Sequence, residues 1–159
     1  MRLQAIILKK TPIREHDELV MCYTLDHGKQ RYQAKSSVLA KSKQGHHLDV
    51  LNLAEFNIIE GKHHPIIASA MSLDSFPNLK NSLGALAQAF FVLECFDKLV
   101  FENERDNRLW EYLLRALRTG VVDQRELIST LGYHGDTPLY DLYPSAIQSL
   151  QFLKNVVQS

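Results

Sequence analysis

Hydrophobic positions along this chain follow two rhythms, and the change between them falls near Pro77. Before it, apolar residues come in short runs and alternations, the pattern of a chain whose successive side chains point to opposite faces. Leu3 to Leu8, apolar apart from Gln4, predicts a buried first strand. Residues Leu19 to Leu25 put Leu19, Met21, Tyr23 and Leu25 on one face, with Val20, Cys22 and Thr24 on the other. In the tetrad Asp26-His27-Gly28-Lys29 that follows, Gly28 is free to take the positive φ of a tight hairpin. The next strand, Lys29 to Ser36, sends Lys29, Arg31, Gln33 and Lys35 to one side, and Tyr32 and Ala34 to the other. After a polar loop, Val50 to Glu60 predicts a fourth strand. Ile66 to Leu73 predicts a fifth, with Pro65 at its entry, where a missing N–H donor is tolerated.

After Pro77 the spacing becomes helical. Leu83, Leu86, Phe90, Leu93 and Phe96 recur at helical intervals, and Phe91, Cys95 and Leu99 widen the apolar face. Asn107 to Arg118 repeats the pattern with Trp110, Leu113, Leu114 and Leu117, and Gly120 marks a C-terminal stop. Asp123 to Glu126 reads as a capping box opening a third helix that ends near Gly132. A loop over Tyr133 to Leu142 and a last helix from Pro144 through Val157 complete the expectation. The fold class is therefore α+β, with a five-stranded Greek-key barrel over residues 1–76 and a small helical domain over 77–159. The barrel has the strand count of an OB-fold, and strand spacing alone leaves an SH3-like barrel open.

Composition changes this picture little, because a hydrophobic share of 45% and a charged share of 23% are ordinary for a globular protein. Charge distribution says more. Net charge is zero, yet residues 1–75 carry ten Lys and Arg against eight Asp and Glu, and residues 76–159 carry eight against ten. Between Asp26 and Asp49 there is no acid, while Lys29, Arg31, Lys35, Lys41 and Lys43 all occur. Three of these share a strand face and two lie in the following loop, so they form a candidate phosphate-binding patch, with Arg14, Lys9 and Lys10 as extensions. The plainer account of alternating cations is the solvated face of an antiparallel sheet. Tyr23, Tyr32 and Phe56 are placed to stack on bases, but each belongs to an apolar alternation and reads as core before platform.

Other chemistries find little support. Cys22 and Cys95 stand apart, outside any CxxC pair, and read as buried free thiols. His46-His47 and His63-His64 are adjacent pairs that diverge on an extended chain, so no metal or other cofactor is expected. Loop histidines that add positive charge below neutral pH are the simpler reading. No phosphate-binding loop, nucleophile elbow or dinucleotide motif occurs, and an enzyme is not expected. Glu94 and Asp97 sit together on an apolar helix and read as structural. The first ten residues are too short in apolar character for a signal-peptide core, and a cytoplasmic protein is expected.

Four stretches together resemble the RecO family of recombination mediators. Ala5-Ile6-Ile7-Leu8 leads into Arg14-Glu15-His16-Asp17-Glu18-Leu19, like the family's first strand and acidic turn. Tyr23-Thr24-Leu25-Asp26-His27-Gly28-Lys29 resembles its second hairpin, and Ala34-Lys35 with Lys41-Ser42-Lys43 its basic loop. Phe90-Phe91-Val92-Leu93-Glu94-Cys95-Phe96-Asp97 resembles its first helix. The chain departs from the family at Ser36, where glycine is common, lacks the four-cysteine zinc module of many members, and is shorter in its helical part. The resemblance implies a non-catalytic protein that binds single-stranded DNA and promotes strand annealing or recombinase loading. It also implies RecR and single-strand-binding protein as partners. Neutral net charge and the shortened helical part keep a second reading open, an adaptor that retained the fold and lost DNA binding; an RNA-binding barrel is a weaker third.

Overall fold

A computed structural model describes residues 1–35 and 45–133, apart from the side chain of His46. Lys41, Lys43 and the helix expected from Pro144 lie outside the described residues, as does nearly all of the loop before that helix. The chain divides into two compact units. One comprises Met1–Ser75 with Phe101–Arg105, the other Phe76–Val100 with Asp106–Ser159.

Among the described residues five strands build the first unit: β1 (Arg2–Pro12), β2 (Glu18–Thr24), β3 (Gly28–Ala34), β4 (Leu53–Ile59) and β5 (Ile66–Asp74). They close into a barrel in the order β1-β2-β3-β5-β4, with β1 shared between β2 and β4. All pairings are antiparallel except the short parallel contact at Gln33 and Ile66 that completes the ring, where the Gln33 N–H donates to the Pro65 carbonyl at 2.8 Å. Closure in this order is that of the five-stranded OB-fold and removes the SH3-like alternative.

The barrel interior is lined by Leu3, Ala5 and Ile7 of β1, Val20 and Cys22 of β2, Tyr32 and Ala34 of β3, and Ala54, Phe56 and Ile58 of β4. Tyr32 meets Phe56 edge-on, ring centres 6.3 Å apart. A register shift between Ile7 and Lys9 reverses the alternation of β1, which is why its apolar run does not split cleanly into two faces. β1 therefore runs on to Pro12, past the end the apolar run marks, and its second half pairs with β2 down to Glu18. A short 3-10 turn, Gly45–Leu48, precedes β4, and the Ser72 N–H of β5 donates to His47 Nδ1 at 3.0 Å. His47 Nδ1 is thus the acceptor that ties this turn to β5.

In the second unit the described residues form the helices α1 (Pro77–Lys80), α2 (Leu83–Leu99), α3 (Asn107–Thr119) and α4 (Gln124–Thr130). Each longer helix starts where a short polar side chain captures a free backbone N–H. Ser82 accepts from Ala85, Asp106 from Arg108, and Asp123 from both Arg125 and Glu126. Glu126 pairs with Arg115 of α3, so only the Asp123 half of the expected capping box is seen. Gly120 at φ 70° ends α3, and Gly132 at φ 94° follows α4. The one-turn helix α1 is too short to have left a periodic signal.

Candidate nucleic-acid interface

Strand register decides which loops share an end of the barrel. Pro12 pairs with Glu18, Glu18 with Ala34, Gln33 with Ile66, and Ile59 with Ile66. The β1–β2 loop, the start of the segment after β3, and the β4–β5 loop therefore leave the barrel at one rim. Arg14, Lys35 and Lys62 sit in these three connections and are all exposed, as are His16 and His63. Among the described residues none of the three cations forms an ion pair. The rim also holds exposed Glu15 and Glu60, and Asp17, whose carboxylate accepts from the Gln33 side chain at 3.2 Å. Lys62 is the cation that reading the sequence passed over. Its signal is positional, because an OB-fold recruits the β1–β2 and β4–β5 loops to its binding face.

The outer surface of β1, β2 and β3 adjoins this rim. Lys9, Met21 and Arg31 lie side by side across the three strands. Lys9 and Arg31 are exposed, whereas Lys10 turns toward Asp49 at 3.9 Å. Lys29 departs from the expected solvent-facing row and is only 5% exposed. The reason lies far along the chain. Residues 101–105 run beside β3, where Glu102 forms a parallel bridge to Lys29 and the Asn103 N–H donates to the Lys29 carbonyl at 3.0 Å. Gln33 is also covered, so of the four side chains expected on the open face only Arg31 and Lys35 are exposed.

Arg31 itself is not free. Its Nε and Nη2 stand 2.6 and 2.5 Å from Glu102 Oε1. Periodicity could not have shown this, since the partners are separated by some seventy residues. Tyr23, Tyr32 and Phe56 are all buried, so none offers an exposed ring for stacking. On the outer side of β4 and β5 lies a groove of about 260 Å³ lined by Arg2, Glu55, Asn57, Ser69 and Met71. Its two charges satisfy each other, with Arg2 Nε 2.9 Å from Glu55 Oε1.

Both thiols are buried and outside any disulfide, and Cys22 Sγ donates to the Gln30 carbonyl at 3.7 Å. Burial pushes Cys22 far above the ordinary thiol range; burial, then the neighbouring Glu94 charge, pushes Cys95 up to about 12. Neither is a nucleophile at neutral pH. Among the described residues no three His, Cys, Asp or Glu side chains gather as a metal site would require. No described helix is long and apolar enough to cross a membrane.

A closed β1-β2-β3-β5-β4 barrel with cations in the loops of one rim is an OB-fold domain of the oligonucleotide- and oligosaccharide-binding type. Residues 1–76 match the family model described as Recombination protein O N terminal. By this match residues 1–76 are a domain of the RecO N-terminal type. Along most of its length it is similar to curated DNA repair proteins RecO. That of Desulforamulus reducens is 28% identical over 143 residues, covering 86% of this chain and 56% of the relative. That of Dehalococcoides mccartyi strain CBDB1 is 32% identical over 116 residues, covering 73% and 46%. That of Thermoanaerobacter sp. strain X514 is 25% identical over 146 residues, covering 84% and 58%. The chain spans about half the length of the curated relatives it matches.

Proposed function

We propose that this chain is a non-catalytic, single-strand DNA-binding protein of recombinational repair that promotes strand annealing or recombinase loading. The carrying observation is the exit of β3 at Lys35 into an acid-free stretch, at the rim that also holds Arg14 and Lys62. A strand crossing that rim would meet Arg14, Lys35 and Lys62, then Lys9 and Arg31 on the adjoining face, with Lys41 and Lys43 adding charge from the same acid-free stretch. Neutralising phosphate charge lowers repulsion between two strands without consuming nucleotide. The resemblance to RecO supports single-strand-binding protein and RecR as partners, and a cytoplasmic site of action.

Fluorescence anisotropy with a labelled single-stranded oligonucleotide at two salt concentrations tests the binding, and annealing of complementary oligonucleotides without ATP tests the activity. Changing Lys35, Lys41 and Lys43 to Glu removes salt-sensitive binding on this reading; unchanged binding rejects it. Three observations favour the second reading, an adaptor without DNA binding. Lys29 is covered, Arg31 is paired with Glu102, and the rim mixes Glu15 and Glu60 with its cations. Capture of RecR or single-strand-binding protein, with no oligonucleotide binding at low salt, would select it.

A further inference from the structure

We propose that Glu102 is an internal anion that competes with nucleic-acid phosphate for Arg31, so that a strand reaches this guanidinium only by opening the pair. The inference rests on the reading that the barrel face binds single-stranded DNA. Arg31 stands on the outer surface in a row with Lys9 and Met21, so it faces where that strand would lie. Guanidinium donors suit a carboxylate and a phosphate alike, and Glu102 holds two of them on one oxygen.

The Arg31 pair is not alone in holding Glu102 there. The segment is docked through its backbone and neighbours. The Asn103 N–H donates to the Lys29 carbonyl at 3.0 Å, and Gln30 Nε2 donates to Asn103 Oδ1 at 2.9 Å. Arg105 lies 3.9 Å from Asp26. Gly28, at φ 69°, lets the segment approach so closely that a Cβ there would lie 2.2 Å from the Glu104 carbonyl oxygen. The side-chain pair can therefore open while the segment stays in place. It is also within reach of solvent and of a competing anion, with Arg31 47% and Glu102 34% exposed. A pair this exposed is weak, so Glu102 tunes binding without abolishing it.

The experiment is a salt titration of oligo-dT binding by the whole chain. Glu102→Gln is expected to raise affinity about two- to fivefold, the size of an exposed ion pair. Freeing one phosphate contact should steepen the slope of log affinity against log salt by about 0.7. In the Arg31→Gln background the same change should do nothing. No gain from Glu102→Gln, or an equal gain without Arg31, overturns the proposal. If Arg14→Glu with Lys35→Glu still removes binding in that case, the DNA reading survives and only the competition falls. If neither the wild type nor Glu102→Gln binds, both fall. A measurement on the unaltered protein guards against a misfolded variant: the Arg31 Nε–H resonance should shift when oligo-dT saturates the protein. An unmoved resonance at saturation overturns the competition.

Discussion

Arg14, Lys35 and Lys62 stand in the connections at one end of the barrel, while Arg31 stands in the middle of β3 and meets Glu102. All four belong to the same small domain, and all four are exposed. The loop cations are exposed and, among the described residues, form no ion pair. The strand cation lies next to a backbone edge, and an edge that the barrel's own strands leave uncovered recruits another segment of chain. Here the recruit is residues 101–105, and it brings a carboxylate with it. Counting cations along a sequence treats these positions alike; folding separates them.

The largest expected effect tests the docked side of the comparison. Gly28→Val places a branched side chain at positive φ and against the Glu104 carbonyl, and should cost about 3 kcal/mol in a urea titration followed by circular dichroism. A loss below 1 kcal/mol would mean that the segment is held loosely, and the contrast with the rim would weaken. Next comes the open side. Arg14→Glu combined with Lys35→Glu should lower single-strand affinity at least tenfold at about 0.1 M salt, while stability changes by less than about 0.5 kcal/mol. If stability fell instead, the rim cations would be structural.

Arg31→Gln should weaken binding by less than twofold, and by less than Lys35→Gln does, because Glu102 already occupies that guanidinium. The reverse order in anisotropy titrations would erase the distinction. The smallest change is expected at the thiols. Burial holds Cys95 protonated in the folded chain, so its contribution to stability is complete below pH 9 and is lost only as pH rises toward 12. Stability should then show no thiol-linked change between pH 7 and 8.5, and a disulfide reagent at pH 8 should label Cys22 and Cys95 in the wild type and in Arg31→Gln only as fast as the protein unfolds.

Much of the barrel was legible in the chain. Alternation around Val20 and Cys22, the turn at Gly28, and the pairing of Tyr32 with Ala34 on one face are local facts, because side-chain direction in a strand depends only on position. Helix starts at Ser82, Asp106 and Asp123 are local as well, each set by an oxygen within three residues of its donor. Boundaries were less clear where geometry was irregular. Val50 to Asn52 looked like strand, but Leu51 takes φ 83° and turns the chain before β4 begins at Leu53.

What the sequence by itself determined is therefore the five strands, the three longer described helices, the order in which they come, and the acid-free stretch from Lys29 to Lys43. It left open which face of β2 turns inward. Leu19 and Met21 are larger than Val20 and Cys22, yet the smaller pair enters the core, because a closed five-stranded barrel has room for little more once Tyr32 and Phe56 are inside. Only the tertiary structure decided that, and only it decided which cations remain available. The burial of Lys29 and the capture of Arg31 depend on residues 101–105 meeting β3, a contact across some seventy residues that no local pattern encodes.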